Sequence, residues 1–233
     1  MTSAVFAYSP ACMIPLSDDQ PTRRFPLVTV ALIVVNALVF VGWQLRIGMD
    51  DSVGLGGFIP AMLSAHEPGA VTRLLTSLFM HGGWMHLIGN MWFLWIFGDN
   101  VEDACGPVRF VGFYLLCGVA ATLAHTWAAP ASLTPLVGAS GAISGVLGAY
   151  LLKHPHATVR TLIPLGIFTR IIDVRAWVFL LIWMGMQILL QAGTRAGHGG
   201  GVAYLAHIGG FVAGMGLIVF FEKSPAPRRG GDA

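Results

Sequence analysis

Charged residues are scarce in this chain. Only 10% of its 233 residues are Asp, Glu, Lys or Arg, against roughly 25% in an average soluble domain, while 55% are hydrophobic. A soluble fold of this length needs a charged surface, and the chain lacks the residues to build one. The formal net charge of +2 also argues against nucleic-acid binding, because phosphate recognition needs a clustered basic surface. The composition therefore predicts an integral membrane protein.

Signatures of metal and disulfide chemistry are also missing. Cys12, Cys105 and Cys117 show no metal-ligand spacing, so we expect neither a zinc site nor a disulfide framework. An HExxH sequence is absent, which argues against a membrane zinc protease. We expect no metal and no cofactor. The first twenty residues lack a basic start followed by an apolar core, so we expect no cleavable signal peptide, and Met1 and Met13 are both acceptable starts.

What the chain has instead is a series of uncharged apolar segments, each to be compared with the roughly 20 residues that a spanning helix needs. One segment is too long for a single span, and we divide it at 128–135, where prolines disfavour a continuous helix. The predicted fold is an all-α membrane protein, a bundle of six transmembrane helices. The segments are 25–45, 74–98, 110–152 (two spans), 176–194 and 201–221. The run 161–169 is too short to cross and is expected at the interface or in a loop.

An even number of spans places both termini on one side. Ten of the thirteen Lys and Arg residues fall in the tails and in the loops 99–109 and 153–175. The positive-inside rule therefore predicts cytoplasmic termini in the inner (plasma) membrane. The predicted organisation is one domain at 25–222 between cytoplasmic tails at 1–24 and 223–233.

The segment 46–73 then becomes the longest outer loop. It contains an apolar patch at 58–63, which we expect in the headgroup region.

Polar side chains within the predicted spans are functional candidates, because an ionisable group in hydrocarbon costs about 3 kcal/mol. His86 and Asn90 lie four residues apart and share one face of the second span. His81 is about 140° from His86 on a helix and is expected at the outer end of the span. The alternative role for the His86 and Asn90 pair is interhelical hydrogen bonding. We interpret Asn36 and His125 as such interhelical contacts.

The segment Gly138-Ala139-Ser140-Gly141 opens the fourth span. Ser140 is therefore predicted near a helix N-terminus, where unpaired backbone N–H groups and the helix dipole favour a developing negative charge. The alternative role of a serine at such a position is to cap the helix.

The sixth span contains His207 beside a row of small residues. If this row meets a similar row on the fourth span, the imidazole comes within reach of the Ser140 hydroxyl, as activation of a serine nucleophile requires. The alternative for a lone membrane histidine is a packing or proton-relay role. The two rows are Ala206, Gly210 and Gly214 on the sixth span and Gly141, Gly145 and Gly148 on the fourth.

Together these segments resemble the rhomboid family of intramembrane serine proteases. HGGWMHLIGN at 81–90, GASG at 138–141 and AHIGG at 206–210 match the three signature motifs of the family in order. IPLSDDQPTRRFP at 14–26 resembles the start of many bacterial members. The resemblance covers residues 14–222 and implies a six-helix bundle with a water-filled cavity open to the outer face. There a serine and a histidine would cleave single-span membrane proteins within the lipid bilayer.

The resemblance also implies residue roles. Ser140 would be the nucleophile, His207 the general base, and His86, Asn90 and the Ser140 backbone N–H the donors to the oxyanion. Two positions depart from the family pattern: Thr72 replaces the tryptophan that usually precedes Arg73, and Ser144 replaces an aromatic residue that often stacks on the catalytic histidine. The residues expected to be structural beside the site are His81, Gly138, Gly141 and Gly210.

No Asp or Glu falls in a predicted span, so the predicted catalytic unit is a dyad with His207 oriented by packing or by a neutral partner. Two other functions stay open. A catalytically inactive rhomboid-like protein would bind membrane spans without cutting them, although such proteins usually lack the serine or the histidine. A small transporter would use its histidines as a proton or ion path but would leave the GASG segment unexplained. The fifth span has a stripe of aromatic residues, which we expect either to line a lateral opening or to face lipid. These residues are Trp177, Phe179 and Trp183.

Overall fold

The computed structural model describes residues 13–165, 168–194 and 203–223, and these residues form helices and a small sheet. The helices are α1 (Leu27–Ile47), α2 (Met49–Gly56), α3 (Pro60–Ser64), α4 (Ala70–Thr76), α5 (Trp84–Cys105), α6 (Pro107–Ala128), α7 (Ser140–Lys153), α8 (Ala176–Thr194) and α9 (Tyr204–Phe221). The strands are β1 (Ile14–Asp18), β2 (Thr158–Leu165) and β3 (Phe168–Arg175). A π-helical turn at Phe40–Gln44 interrupts α1, and a 3-10 turn at Ser77–Phe79 follows α4.

Four of these helices, α1, α6, α8 and α9, are long and apolar enough to cross a membrane. Helix α5 has 22 residues but carries three acidic side chains in its last two turns. Helix α7 has only 14 residues, about 21 Å at 1.5 Å per residue, and every residue from Gly141 to Tyr150 is buried. The predicted class, a helical membrane protein, is confirmed, while the number of six spans stays a prediction.

Helix α7 is the centre of the bundle and packs against α5, α6, α8 and α9. Its contact with α9 brings backbone against backbone. A Cβ atom added at Gly214 would lie 1.9 Å from the carbonyl oxygen of Gly145, and one at Gly210 would lie 2.1 Å from that of Gly141. The two predicted rows of small residues therefore meet. This close approach is the usual source of helix association in lipid, where apolar side chains gain little from leaving apolar solvent.

The first loop (residues 48–83) is tied to the segment that leads into α7. The Arg73 guanidinium donates hydrogen bonds to the carbonyls of Gly54 (2.7 Å) and Gly57 (3.1 Å). Phe58 and Leu136 exchange two backbone hydrogen bonds of 2.9 and 2.7 Å. The Phe58 side chain is fully buried in the protein. Phe58 thus closes the loop onto the bundle and is covered by protein, while the position of the 58–63 patch in the headgroup region stays a prediction.

The confirmed helical fold also contains a three-stranded antiparallel sheet of order β1-β2-β3, which the sequence analysis did not predict. The run 161–169, expected at the interface or in a loop, lies largely in strands, with Thr158 opposite Arg175 and Leu165 opposite Phe168. Strands β2 and β3 are rich in Thr, Val and Ile, which favour a pleated surface.

Strand β1 holds part of the predicted N-terminal tail against the bundle. The Trp92 indole N–H on α5 donates to the Pro15 carbonyl (2.7 Å). Asp18 accepts a hydrogen bond from the Tyr150 hydroxyl on α7, and burial raises the pKa of the Asp18 carboxyl. The sheet is therefore fastened to two helices of the bundle.

Glu102, near the end of α5, satisfies the start of α1. The first turn of a helix has backbone N–H groups without intrahelical acceptors, and Pro26 in front of α1 supplies no side-chain cap. The Glu102 carboxylate accepts from the N–H groups of Val28 (3.0 Å) and Thr29 (2.8 Å) and from the Thr29 hydroxyl (2.8 Å). Its negative charge also complements the dipole of α1.

We expect Glu102→Ala to lower the free energy of unfolding by about 3 kcal/mol, because it leaves buried donors without an acceptor. Glu102→Gln, which keeps one acceptor oxygen, lowers it less. Thermal unfolding of the detergent-purified protein measures both changes, and Glu67→Ala at an exposed position is the control. Equal stability of Glu102→Ala and the control would contradict this role.

The contact between α7 and α9 predicts a contrast between two glycines of one helix. Gly214→Ala places its Cβ against a backbone carbonyl and should lower the free energy of unfolding by about 3 kcal/mol. Gly216→Ala is the matched control, because no atom lies within 4 Å of its added Cβ. The same unfolding measurement compares them, and similar losses in both variants would show that the backbone contact is unimportant.

Candidate active site

Ser140 and His207 meet where α7 and α9 begin. Ser140 is the first residue of α7, and His207 lies in the first turn of α9. The distance between Ser140 Oγ and His207 Nε2 is 2.8 Å, within hydrogen-bond range. Both side chains are half-buried. The structure thus brings together two side chains that lie 67 positions apart in the sequence.

The other ring nitrogen of His207 faces Gln187 on α8. Its Nδ1 lies 2.8 Å from the Gln187 side-chain oxygen. An amide oxygen only accepts hydrogen bonds, so Nδ1 carries the proton and Nε2 is left as the acceptor for the Ser140 hydroxyl. The sequence analysis left a neutral partner for His207 open and did not identify Gln187. The signal was present, since Gln187 is an amide within an otherwise apolar segment.

An aromatic ring on α8 also packs against His207. The Trp183 ring centroid lies 6.2 Å from that of the imidazole, with 30° between the planes, and 6.3 Å from that of Phe211. Trp183 is half-buried, Phe179 is buried, and Trp177 is 45% exposed. The alternative that these α8 aromatics face lipid is therefore wrong for Phe179, while the lateral opening stays a prediction.

Ser144, which stands where an aromatic residue was expected, is buried and bonded within its own helix. Its hydroxyl donates to the carbonyl oxygen of Ser140 at 2.7 Å. The side chain therefore turns back along α7 and makes no ring contact with His207.

His86 and Asn90 share a face of α5, as the helical spacing predicts. The backbone N–H of Gly82 donates to His86 Nδ1 at 3.3 Å, which leaves the proton on His86 Nε2. The Asn90 side chain is buried, and its Nδ2 has no hydrogen-bond partner among the described residues. An unpaired buried donor is costly, so the Asn90 amide is a donor free for a further acceptor.

Gly138 allows the His86 ring to approach the serine. A Cβ atom at this position would lie 2.6 Å from His86 Nε2 and 3.5 Å from Ser140 Oγ. Gly138 also has φ of +124°, a conformation that favours glycine. Its N–H donates to the Ser77 carbonyl at 2.9 Å. Glycine is therefore required here both by its backbone conformation and by the space that the imidazole occupies.

His81 lies just before α5 and is fully buried. Its backbone N–H donates to the Gln44 side-chain oxygen (2.8 Å), and its carbonyl accepts from the Gln44 amide (3.0 Å). Its ring contacts that of His86, with centroids 5.2 Å apart. Gln44, a residue that the sequence analysis did not single out, thus holds the backbone in front of the helix that carries His86.

Two other polar residues do not join the site. The Asn36 amide donates to the Leu32 carbonyl of its own helix (2.7 Å), and its oxygen has no partner among the described residues. His125 Nδ1 likewise has none there. The prediction of interhelical contacts for Asn36 and His125 is therefore not supported.

A small cleft opens beside Ser140, between the segment before α7 and helices α6 and α9. It is lined by small side chains, among them Ser77, Ala121, Ala203 and Ala206. The described residues contain no group of three or more His, Cys, Asp or Glu that could hold a metal ion.

Comparison with known proteins identifies the family. A family model described as the Rhomboid domain matches residues 68–224, about two thirds of the chain. The chain belongs to the rhomboid family. This confirms the predicted family and the predicted rhomboid-like helical fold, and it makes the protein an integral membrane protein.

Several rhomboid proteins are similar to the chain. Rhomboid protease GluP of Bacillus subtilis (strain 168) is 32% identical over 192 residues, 82% of this chain and 35% of that protein. Rhomboid protein 1, mitochondrial, of Saccharomyces cerevisiae is 29% identical over 205 residues, 85% of this chain and 54% of that protein. Rhomboid-like protease 5 of Toxoplasma gondii is 34% identical over 152 residues, 63% of this chain and 16% of that protein. The chain thus spans about a third of the length of the Bacillus subtilis protein and about half of the length of the Saccharomyces cerevisiae protein.

Proposed function

We propose that this rhomboid is an intramembrane serine endopeptidase that cuts transmembrane segments of single-span membrane proteins. Ser140 is the nucleophile and His207 the general base. The observation that carries the proposal is the 2.8 Å contact between Ser140 Oγ and His207 Nε2, on a ring whose Nδ1 faces the Gln187 oxygen. Two of the relatives are named proteases, which supports the same reaction class.

The reaction uses one proton acceptor throughout. Ser140 Oγ attacks the carbonyl carbon of the scissile peptide bond while its proton passes to His207 Nε2. The tetrahedral intermediate collapses, the C–N bond breaks, and the imidazolium returns the proton to the leaving amine. A water molecule then attacks the Ser140 ester and gives its proton to Nε2. The C–O bond to Ser140 breaks, and the serine regains the proton as the carboxylic acid product leaves.

Three donors are suited to the oxyanion of the tetrahedral intermediate. The Ser140 N–H lies at the start of α7, where the helix leaves it without an intrahelical acceptor. His86 Nε2 carries a proton beside Gly138, and the Asn90 amide is buried without a partner among the described residues. Each such donor typically lowers the barrier by about 3 kcal/mol.

The site lies at one end of the bundle. Helices α5, α7 and α9 all begin there, whereas Asp18 of strand β1 contacts Tyr150 near the end of α7 and Glu102 lies near the end of α5. With the positive-inside rule placing the termini in the cytoplasm, cleavage occurs near the outer face of the inner membrane. A helical substrate has its peptide bonds hydrogen-bonded and shielded, so cutting takes place near helix-weakening residues at the outer edge of the substrate span.

The two alternative functions make different use of the same residues. An inactive membrane-span binder does not need a hydrogen bond between an alcohol and an imidazole nitrogen free of its proton. A transporter needs a continuous polar path, whereas His207 is engaged by Gln187 and Ser140 on its two nitrogens. The dyad geometry therefore favours the protease.

We expect a fluorophosphonate probe to label the detergent-purified protein at Ser140. Ser140→Ala should abolish labelling, and His207→Ala should slow it by at least about 10³-fold, because the hydroxyl loses its base. His154→Ala is the control, since this histidine lies after α7 and away from the dyad. Gel fluorescence with mass spectrometry of the labelled peptide measures the reaction. An unlabelled wild type, or labelling that survives Ser140→Ala, would rule out the protease.

The oxyanion role of Asn90 predicts a second kinetic effect. Asn90→Ala should lower kcat for a single-span substrate in proteoliposomes by about 10²- to 10³-fold with little change in KM. Asn36→Ala, a buried asparagine whose amide bonds its own helix, is the matched control. Wild-type kcat in Asn90→Ala would remove Asn90 from the reaction.

A further inference from the structure

Helix α8 presents two side chains to His207 from one of its faces. Trp183 and Gln187 are four residues apart, the spacing that places side chains one above the other on a helix. Gln187 contacts the edge of the imidazole at Nδ1, at 2.8 Å, and the Trp183 ring lies 6.2 Å from the imidazole between centroids, with 30° between the planes. Gln187 is only 9% exposed, so this contact is largely shielded from water.

We propose that Gln187 is a positioning residue that holds His207 in the tautomer required of the base, and that Trp183 restrains the plane of the ring. This inference rests on the proposed function, because it assigns roles around the same base. Gln187 touches neither the serine nor a reacting atom in this arrangement and acts through His207.

The tautomer determines whether the base works. A neutral imidazole carries one N–H proton, and if it were on Nε2, the nitrogen that faces Ser140 would have no lone pair to take the serine proton. The Gln187 oxygen stabilises the form with the proton on Nδ1, because only that form donates a hydrogen bond to it. A wrong tautomer in a serine hydrolase can lower kcat by about 10⁴-fold, so this single hydrogen bond has a large effect on rate.

An amide suits this position better than a carboxylate. The described part of α8 contains no Asp or Glu, and a buried unpaired carboxylate would carry a large desolvation cost. Gln187 accepts the same hydrogen bond without a charge. The Ser140, His207 and Gln187 group is therefore neutral before the reaction, which fits a site within a membrane bundle.

Trp183 accounts for the absence of an aromatic residue at position 144. Ser144 turns back to the Ser140 carbonyl and leaves the imidazole without a ring from α7. Trp183 supplies a ring from α8 and is itself packed against Phe93 and Phe211. The imidazole is thus restrained by a hydrogen bond at Nδ1 and by the neighbouring Trp183 ring.

The test compares Gln187→Met, which keeps the length of the side chain but has no strong acceptor, with Gln187→Glu, which keeps an acceptor. Ile188→Met, at an exposed position of the same helix, is the matched control for the methionine. The readouts are kcat and KM for a single-span substrate in proteoliposomes across pH, the rate of fluorophosphonate labelling, and thermal unfolding.

We expect Gln187→Met to lower kcat by at least about 10²-fold with KM and the unfolding temperature close to those of Ile188→Met. Gln187→Glu should recover most of the rate at alkaline pH. Its acid limb should move to higher pH, because a carboxylate stabilises the protonated imidazole, which cannot take the Ser140 proton. A purely structural role would change the folded fraction and leave the acid limb unmoved.

Wild-type kcat and pH profile in Gln187→Met would overturn the inference. If that variant does not fold, Gln187→Glu decides, and an acid limb that matches the wild type overturns it. Trp183→Leu should lower kcat more than Trp183→Phe does, because only phenylalanine keeps an aromatic ring. Equal kcat values in these two variants would show that the ring does not restrain His207. Failure of the proposed function is distinct, because there the wild type itself would show no Ser140-dependent reaction.

Discussion

The close contact between the backbones of α7 and α9 is the constraint on which the site depends. Gly210 meets the carbonyl of Gly141, and Gly214 meets that of Gly145. Ser140 directly precedes the first contact on α7, and His207 lies about one turn before the matching glycine on α9. A side chain at one of these glycines would push the helices apart. The distance between Ser140 Oγ and His207 Nε2, now 2.8 Å, would then exceed the range of a hydrogen bond. The packing of α7 against α9 and the contact between Ser140 and His207 therefore depend on the same geometry.

Several buried polar side chains of the bundle differ in how their hydrogen bonds are satisfied. Gln44 and Glu102 satisfy backbone groups, in front of α5 and at the start of α1. They follow the rule that buried polar groups are hydrogen-bonded. Asn90 departs from it, since its amide has no partner among the described residues. The proposed oxyanion role would give this amide an acceptor, and Asn90 shares its helix face with His86, beside the serine.

The first loop, like the helices, helps to position the residues of the site. Arg73 joins two carbonyls of this loop, and the backbone pair of Phe58 and Leu136 connects it to the segment before α7. That segment ends at Gly138, whose N–H is held by the Ser77 carbonyl. Arg73 makes its hydrogen bonds although Thr72, not tryptophan, precedes it, so the loop contact does not need the pair that the family usually has.

Sequence alone determined the membrane character, the order of the helices that carry the site and the candidate residues themselves. These follow from local properties, namely hydropathy, the spacing of His86 and Asn90, and small residues at every fourth position. The sheet, the Glu102 contact and the contacts of Gln187 and Trp183 with His207 were decided by tertiary structure. The sequence reveals that an amide such as Gln187 is costly to bury in an apolar helix. It does not reveal the hydrogen-bond partner, which lies 20 residues away on another helix. Which faces meet depends on packing across the whole bundle, and no spacing within one segment contains that information.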